Sequence, residues 1–143
     1  NGSKVLKSEK GVLMVGIEKL DFSSFEKAIN TLGAALTKTP ISDLERDGAI
    51  QRFEYTFELA WKMMRRCLIA LGRNDVSASP KPVLRDALEE GFIGDVERWF
   101  YFLEARNLST HIYDQDEADR IFKAAQEFYP EAAALLKKLK SLK

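Results

Sequence analysis

Residues 42–72, SDLERDGAIQRFEYTFELAWKMMRRCLIALG, decide the fold class. Ser42 and Glu45 form a capping box, in which each side chain accepts a hydrogen bond from the other residue's backbone N–H and so begins a helix. Apolar side chains then recur every three or four residues up to Gly72, a residue type that commonly ends helices. The pattern predicts one amphipathic helix of about thirty residues. Its apolar stripe comprises Ile50, Phe53, Phe57, Ala60, Trp61, Met64, Leu68 and Leu71.

The segments on either side of this helix have the same periodicity. Upstream, residues 21–39 carry an apolar stripe and are followed by Pro40, which predicts a first helix that ends there. Downstream, Ser79 and Pro80 have the residue types of a helix start, and Gly91 has that of a helix end. A third, shorter helix is expected between them.

Two more helices are predicted in the last third of the chain. Residues 92–109 form the fourth, with Val96, Trp99, Phe100 and Leu103 facing inward. The fifth begins after Asp114, which forms a second capping-box pattern with Glu117. It carries Pro130 inside its apolar pattern, so a kink or a restart is expected at that position.

No stretch alternates like a strand and no repeat of fixed period occurs, so the sequence predicts an all-α fold, an up-and-down bundle of four or five helices. The chain of 143 residues has the length of one ordinary domain. We expect residues 14–143 to form a single helical-bundle domain. Residues 1–13 are polar and patternless and precede a methionine, so we expect a cloning remnant or a disordered tail there.

The composition favours a cytoplasmic protein. Twenty-two basic residues balance twenty-two acidic ones, so the chain lacks the overall positive field of a non-specific nucleic-acid binder. No apolar run reaches the roughly 18 residues that a membrane span needs. Cys67 is the single cysteine and cannot form an internal disulfide.

Several residue groups are best explained without a functional site. The sequence contains no glycine-rich phosphate loop, no cysteine or histidine cluster and no nucleophile elbow, so we expect neither a metal nor a cofactor. Trp61, Met64 and Cys67 fall on the apolar stripe and are expected in the core, with an inert thiol. Arg65 and Arg66 are expected in solvent.

The segment EARNLSTHIYD, residues 104–114, contains the chain's single histidine and is the one candidate for chemistry. A neutral histidine can take a proton near neutral pH, and an arginine can stabilise negative charge on a phosphate. Arg106 and His111 are five residues apart, which places them about 140° apart on a straight helix. They converge only if the backbone turns between them, and the modest helix formers of this segment permit such a break.

A structural explanation competes with the chemical one. His111 would cap the last carbonyls of the fourth helix, and Arg106 would pair with Glu104 or Asp114. From the spacing alone, this explanation is favoured.

Three segments favour the chemical explanation instead, because together they resemble one known family. QRFEYTFELAWKMMRR (51–66), VLRDALEEGFI (83–93) and RNLSTHIYD (106–114), in this order, are similar to the nucleotidyltransferase substrate-binding protein family, a branch of the helical HEPN superfamily. The resemblance extends from about residue 20 to the last helix. It implies a five-helix bundle that forms homodimers and associates with a separate, minimal nucleotidyltransferase subunit.

The resemblance also implies roles for individual residues. HEPN ribonucleases share an arginine, a polar residue, three further residues and a histidine, and Arg106, Asn107 and His111 fill these positions. In toxin–antitoxin members, the partner attaches AMP to the tyrosine two places after the histidine and so silences the ribonuclease. Tyr113 stands there. The site of such proteins lies in a cleft at the dimer interface.

The leading hypothesis is therefore the ribonuclease, toxin-like subunit of a two-component nucleotidyltransferase system, which cleaves RNA without a metal and is regulated by AMP transfer. An alternative is a non-catalytic subunit that binds the partner's substrate or nucleotide. A third is a helical scaffold in which the motif has lost its function.

Overall fold

A computed structural model of the chain describes residues 16–39 and 41–143, which are helical apart from turns and loops, with no strand among them. Residues 1–13, the proposed start at Met14 and the stop at Pro40 lie outside the described residues. The long helices are α1 (Ser23–Leu36), α2 (Asp43–Ala70), α3 (Pro80–Glu89), α4 (Val96–Leu108) and α5 (Gln115–Lys140). This all-helical bundle confirms the predicted fold class.

Helix α2 is the central element, and it contacts each of the other four long helices. It begins at the predicted capping box: the Glu45 N–H donates to Ser42 Oγ at 3.1 Å, and the Ser42 N–H donates to Glu45 Oε1 at 3.0 Å. Gly72, just past its end, has a φ of +94°, a conformation open to glycine at little cost. Both predicted ends of this helix are confirmed.

Two helices are shorter than predicted. Helix α1 begins at Ser23 because the Asp21 carboxylate accepts a hydrogen bond from the Ser23 N–H, which makes a turn before the helix. Helix α4 begins at Val96, because the Asp95 carboxylate caps the Arg98 N–H at 3.1 Å and residues 92–95 form the preceding turn. Val96 and Phe100 are only partly buried.

Helix α5 continues through Pro130, so the predicted restart is wrong, while a kink stays a prediction. Proline removes one N–H and leaves the carbonyl four residues earlier, that of Gln126, without its usual donor. Pro130 and Gln126 are both exposed, so water can satisfy that carbonyl.

The second capping pattern, at the start of α5, is confirmed in part. The Glu117 N–H donates to Asp114 Oδ1 at 2.8 Å, but the Glu117 carboxylate accepts from Tyr113.

The core is built around five aromatic rings from α2, α4 and α5. Phe128 of α5 has no exposed surface and contacts the other four rings, at centroid distances between 5.3 and 5.8 Å. Three of these contacts are edge-to-face, the geometry in which ring quadrupoles attract. The other rings are those of Phe53, Phe57, Trp99 and Phe102. This cluster fixes α2 against α4 and so positions the candidate site.

Candidate active site at the end of helix α4

The backbone changes from an α-helix to a 3-10 turn between Arg106 and His111. Helix α4 ends at Leu108, and Ser109–His111 form a single 3-10 turn. Ile112 is extended, with φ −83° and ψ 118°, and leads to Asp114, the cap of α5. The α-helix therefore ends between Arg106 and His111, but the chain first becomes extended after His111, so the convergence of the two residues stays a prediction.

Arg106 is held by a carboxylate of another helix. Its Nη2 lies 2.5 Å from Oε1 of Glu58 on α2, and its Nη1 donates to the side-chain oxygen of Asn107 at 3.2 Å. The Arg106 side chain is about one-third exposed (35%). The predicted pairing with Glu104 or Asp114 is wrong, because the packing of α4 on α2 brings Glu58 to the guanidinium instead. Two of the five guanidinium N–H groups are used, so others remain for a ligand.

The 3-10 turn is held by the neighbouring carboxylate of α2. The hydroxyl of Ser109 lies within hydrogen-bond distance of Glu54 Oε2 and, at 2.6 Å, of the Arg106 carbonyl. Thr110 Oγ1 donates to the Asn107 carbonyl at 3.1 Å. These hydroxyls, and not His111, lie at the carbonyls near the end of α4, so the predicted capping role of His111 is wrong.

Glu54 and Glu58 are site residues that the sequence analysis missed. They are four residues apart on α2 and therefore lie on one side of it, next to the apolar stripe. The signal was present in the segment EYTFE, where two carboxylates flank buried Thr56 and Phe57. Carboxylates at this spacing are common on exposed helix faces, so nothing in the sequence linked them to residues 106–111.

His111 and Tyr113 face solvent. The side chain of His111 is exposed, and Tyr113 is 82% exposed. The backbone N–H of Tyr113 donates to Glu117 Oε1 at 2.8 Å, which fixes the start of α5 without covering the phenol ring. Asn107 is exposed as well. The four predicted site residues thus lie in one accessible stretch at the junction of α4 and α5.

Two surface cavities adjoin this stretch. One, of about 360 Å³, lies between α4 and α5 and includes Tyr101, Leu108 and Ile121 in its wall. The other, of about 510 Å³, includes Asn107, Phe100 and Lys81. Leu108, which is 54% exposed, lies both in the wall of the first cavity and within the motif.

The residues predicted to belong to the core do so. Trp61, Met64 and Cys67 are buried, and burial alone raises the pKa of the Cys67 thiol to about 12. A thiol with such a pKa is un-ionised near neutral pH and is a poor nucleophile.

In residues 16–39 and 41–143, no group of three or more metal-binding side chains is assembled. No helix of the described part is both long and apolar enough to cross a membrane.

Comparison with known families shows to which of them the chain belongs. Residues 20–141 match the family described as "Nucleotidyltransferase substrate binding protein like". The chain belongs to this family. The match includes all five long helices and the candidate site, and it agrees with the resemblance carried by the three sequence segments.

Individual relatives of known sequence or structure agree. A Haemophilus influenzae protein named "Probable ribonuclease HepT" is 40% identical over 96 residues, which span 65% of this chain and 66% of that protein. A solved Thermus thermophilus structure superposes with a TM-score of 0.74 at 35% identity, over 80% of this chain and 98% of that one. A Haemophilus influenzae structure, described as the fold of a substrate-binding domain of a nucleotidyltransferase, gives 0.73 at 30% identity, over 84% and 99%.

Proposed function

We propose that the protein is a HEPN-type endoribonuclease that cleaves RNA without a metal, as the toxin-like subunit of a two-component nucleotidyltransferase system. The observation that carries this proposal is the end of α4. Arg106 is fixed there by Glu58 and Asn107, and a 3-10 turn after the helix ends at the exposed His111. The 40% identity with a probable ribonuclease supports the same function.

The chemistry needs only these side chains. His111 accepts the proton of an RNA 2′-hydroxyl, and the 2′-oxygen attacks the adjacent phosphorus. The bond to the 5′-oxygen breaks and that oxygen takes up a proton, which leaves a 2′,3′-cyclic phosphate and a 5′-hydroxyl. Arg106 stabilises the charge that grows on the phosphate oxygens, and Asn107 orients Arg106.

A second copy of the chain completes the site in this proposal. Leu108, within the motif, and Tyr101, five residues before Arg106, are 54% and 39% exposed and line the cavity between α4 and α5. Covering such apolar surface favours association. A two-fold interface at this face would place two Arg106 and two His111 side chains in one cleft.

The partner in this proposal is a separate minimal nucleotidyltransferase that transfers AMP to Tyr113. The phenol oxygen would attack the α-phosphorus of ATP, forming the tyrosyl–AMP bond and releasing pyrophosphate. The high exposure of Tyr113 and its position two residues after His111 support this. An AMP on Tyr113 would place a negatively charged phosphate two residues from His111 and so compete with RNA. We place both subunits in the cytoplasm.

The test is RNA cleavage by the purified protein in EDTA, beside the variant His111→Ala. We expect cleavage to survive chelation and to fall by about 10²-fold or more in the variant, the usual loss of a general base. Helix content and oligomeric state should stay unchanged, because His111 is exposed. The protein must first be shown by mass spectrometry to carry no AMP on Tyr113.

The outcome that would contradict the ribonuclease is absence of cleavage by unmodified protein, or cleavage that His111→Ala retains. Absence of cleavage would favour the alternative, a non-catalytic subunit that binds the substrate or nucleotide of its partner. The structure described for the Haemophilus influenzae relative as a substrate-binding domain supports that alternative. Nucleotide affinity that appears chiefly with the nucleotidyltransferase present would identify it.

A further inference from the structure

A basic cavity lies farther along α2, beyond Glu58. It encloses about 280 Å³, and its walls are Trp61, Lys62, Arg65, Arg66 and Ala78. Three of these five residues are cationic and none is acidic, in a chain whose total charge is zero. The buried indole N–H of Trp61 has no acceptor among the described residues. The cavity is thus a local concentration of positive charge and unused donors.

The two arginines of this cavity differ from Arg46 and Arg73, the most heavily paired arginines among the described residues. Arg46 and Arg73 each pair with three carboxylates. In the part of the chain that the structure describes, Arg65 and Arg66 have no such partner, and Arg66 reaches only the Met63 sulfur, at 4.0 Å. Their charges are therefore available to an anion from outside.

Arg65 is also held in place, contrary to the prediction that it would lie in solvent. It is only partly exposed, and its Nε donates to the Ser77 carbonyl at 2.8 Å. That bond leaves the two terminal nitrogens of the guanidinium, the pair that binds phosphate in a bidentate fork. A guanidinium fixed in this way loses less conformational entropy when it binds.

The cavity is linked to the candidate active site through one carboxylate. Glu58 contacts Arg106 through Oε1, and its Oε2 lies 3.4 Å from Nζ of Lys62. Lys62 is in turn part of the cavity wall. Cationic side chains therefore continue from Arg106 on α4 to Lys62 and Arg66 on α2, with the Glu58 carboxylate between the first two. Cationic side chains along a groove are what a single-stranded phosphate backbone binds.

We propose that this cavity binds a phosphate of the RNA strand adjacent to the one held by Arg106, with Lys62, Arg65 and Arg66 as the ligands. The inference rests on the proposed function, since it assumes that the strand passes Arg106. It adds a subsite that positions the strand by its backbone and carries no base specificity. The phosphate chain of a free nucleotide is the other ligand that these three cationic side chains could bind.

The test measures binding of a 2′-O-methyl oligonucleotide, which has no 2′-hydroxyl to attack and stays intact whether or not the protein is a nuclease. The variant is Lys62→Ala with Arg66→Ala. The matched control is Lys27→Ala with Lys138→Ala, which removes two exposed lysines from α1 and α5. We expect the variant to bind about tenfold more weakly than wild type. The slope of log affinity against log salt should fall by about 0.7, the value for one single-stranded phosphate contact.

Equal binding by the variant and the control would overturn the proposal, and so would a wild-type protein that does not bind the oligonucleotide. Weak binding by the variant together with no RNA cleavage by wild type would keep the subsite and reject the ribonuclease. A parallel titration with ATP distinguishes the source. If the variant loses affinity for ATP while oligonucleotide binding is unchanged, the cavity is a nucleotide site and the RNA subsite is wrong.

Discussion

The aromatic centre and the end of α4 use the same two helices in opposite ways. Phe53 and Phe57 of α2 contribute rings to the centre, and the residues directly after them, Glu54 and Glu58, hold the candidate site. Neighbouring residues on a helix point about 100° apart, so one i, i+4 pair can face the core while the next faces the site. The centre depends on burial, whereas the site depends on a few directed polar contacts.

The residues that stabilise this fold are therefore largely distinct from those of the candidate site. Phe128 is fully buried, whereas Arg106 is one-third exposed and His111 is exposed. Removing a buried ring therefore costs folding free energy, and removing a site contact mainly costs activity. Variants chosen from each region can test that division.

The largest effect is expected from Phe128→Ala. It removes the ring that contacts the other four of the centre, and buried Phe to Ala changes typically cost about 3–5 kcal/mol. That is a large part of the free energy of unfolding of a domain of this size. Phe122→Ala, on the same helix but only partly buried, is the matched control and should cost less than half as much. Urea unfolding measures both, and equal costs would contradict the central role of Phe128.

A smaller effect, on activity alone, is expected from Glu58→Gln. The change keeps the shape of the side chain but removes the charge that holds Arg106, so cleavage should fall by about tenfold, the value of one hydrogen bond to a charged group. Glu104→Gln is the control, because Glu104 lies two residues before Arg106 and is one of the two partners, with Asp114, that the sequence alone predicted. It should leave the cleavage rate unchanged. If Glu104→Gln lowers the rate and Glu58→Gln does not, the observed pairing has no part in the reaction.

The difference between these two glutamates shows what the sequence could and could not predict. Helix types, the start of α2 and the end of α4 before His111 follow from contacts within a few residues, which spacing and residue type reveal. The pair of Glu58 with Arg106 joins residues 48 positions apart. It depends on how α4 packs against α2, and one sequence without that packing offers several equivalent carboxylates.

The core and the cavities likewise differ in how far the sequence predicts them. The apolar stripe of α2 predicted which residues are buried, because burial follows from periodicity. The availability of Arg65 and Arg66 could not be predicted, because it depends on which carboxylates the fold places near them. The course of α5 through Pro130 likewise depends on the exposure of one carbonyl.

The smallest effect is expected at the start of α2. This region affects the aromatic centre and the candidate site only through α2, the helix that it shares with both. Ser42→Ala removes the hydroxyl that caps the Glu45 N–H, and loss of such a cap costs about 1 kcal/mol. Because α2 carries two of the five rings and both site carboxylates, the loss should lower the melting temperature slightly and leave the cleavage rate of folded protein unchanged. A lower rate without a lower melting temperature would link this end of α2 to the site.

The same cap makes a prediction about pH. Its hydrogen bond from the Ser42 N–H is the main reason that the pKa of Glu45 lies below 4.5, and the nearby Lys38 lowers that pKa further. A carboxyl whose pKa is lowered by folding adds stability that is complete above its unfolded pKa and is lost as the pH falls through the folded pKa. Wild type should therefore melt above Glu45→Gln at about pH 7, and the gap should close below pH 4.5. A gap that stays constant as the pH falls would show that the charge of Glu45 contributes nothing to the helix start, and that the cap acts only through neutral hydrogen bonds.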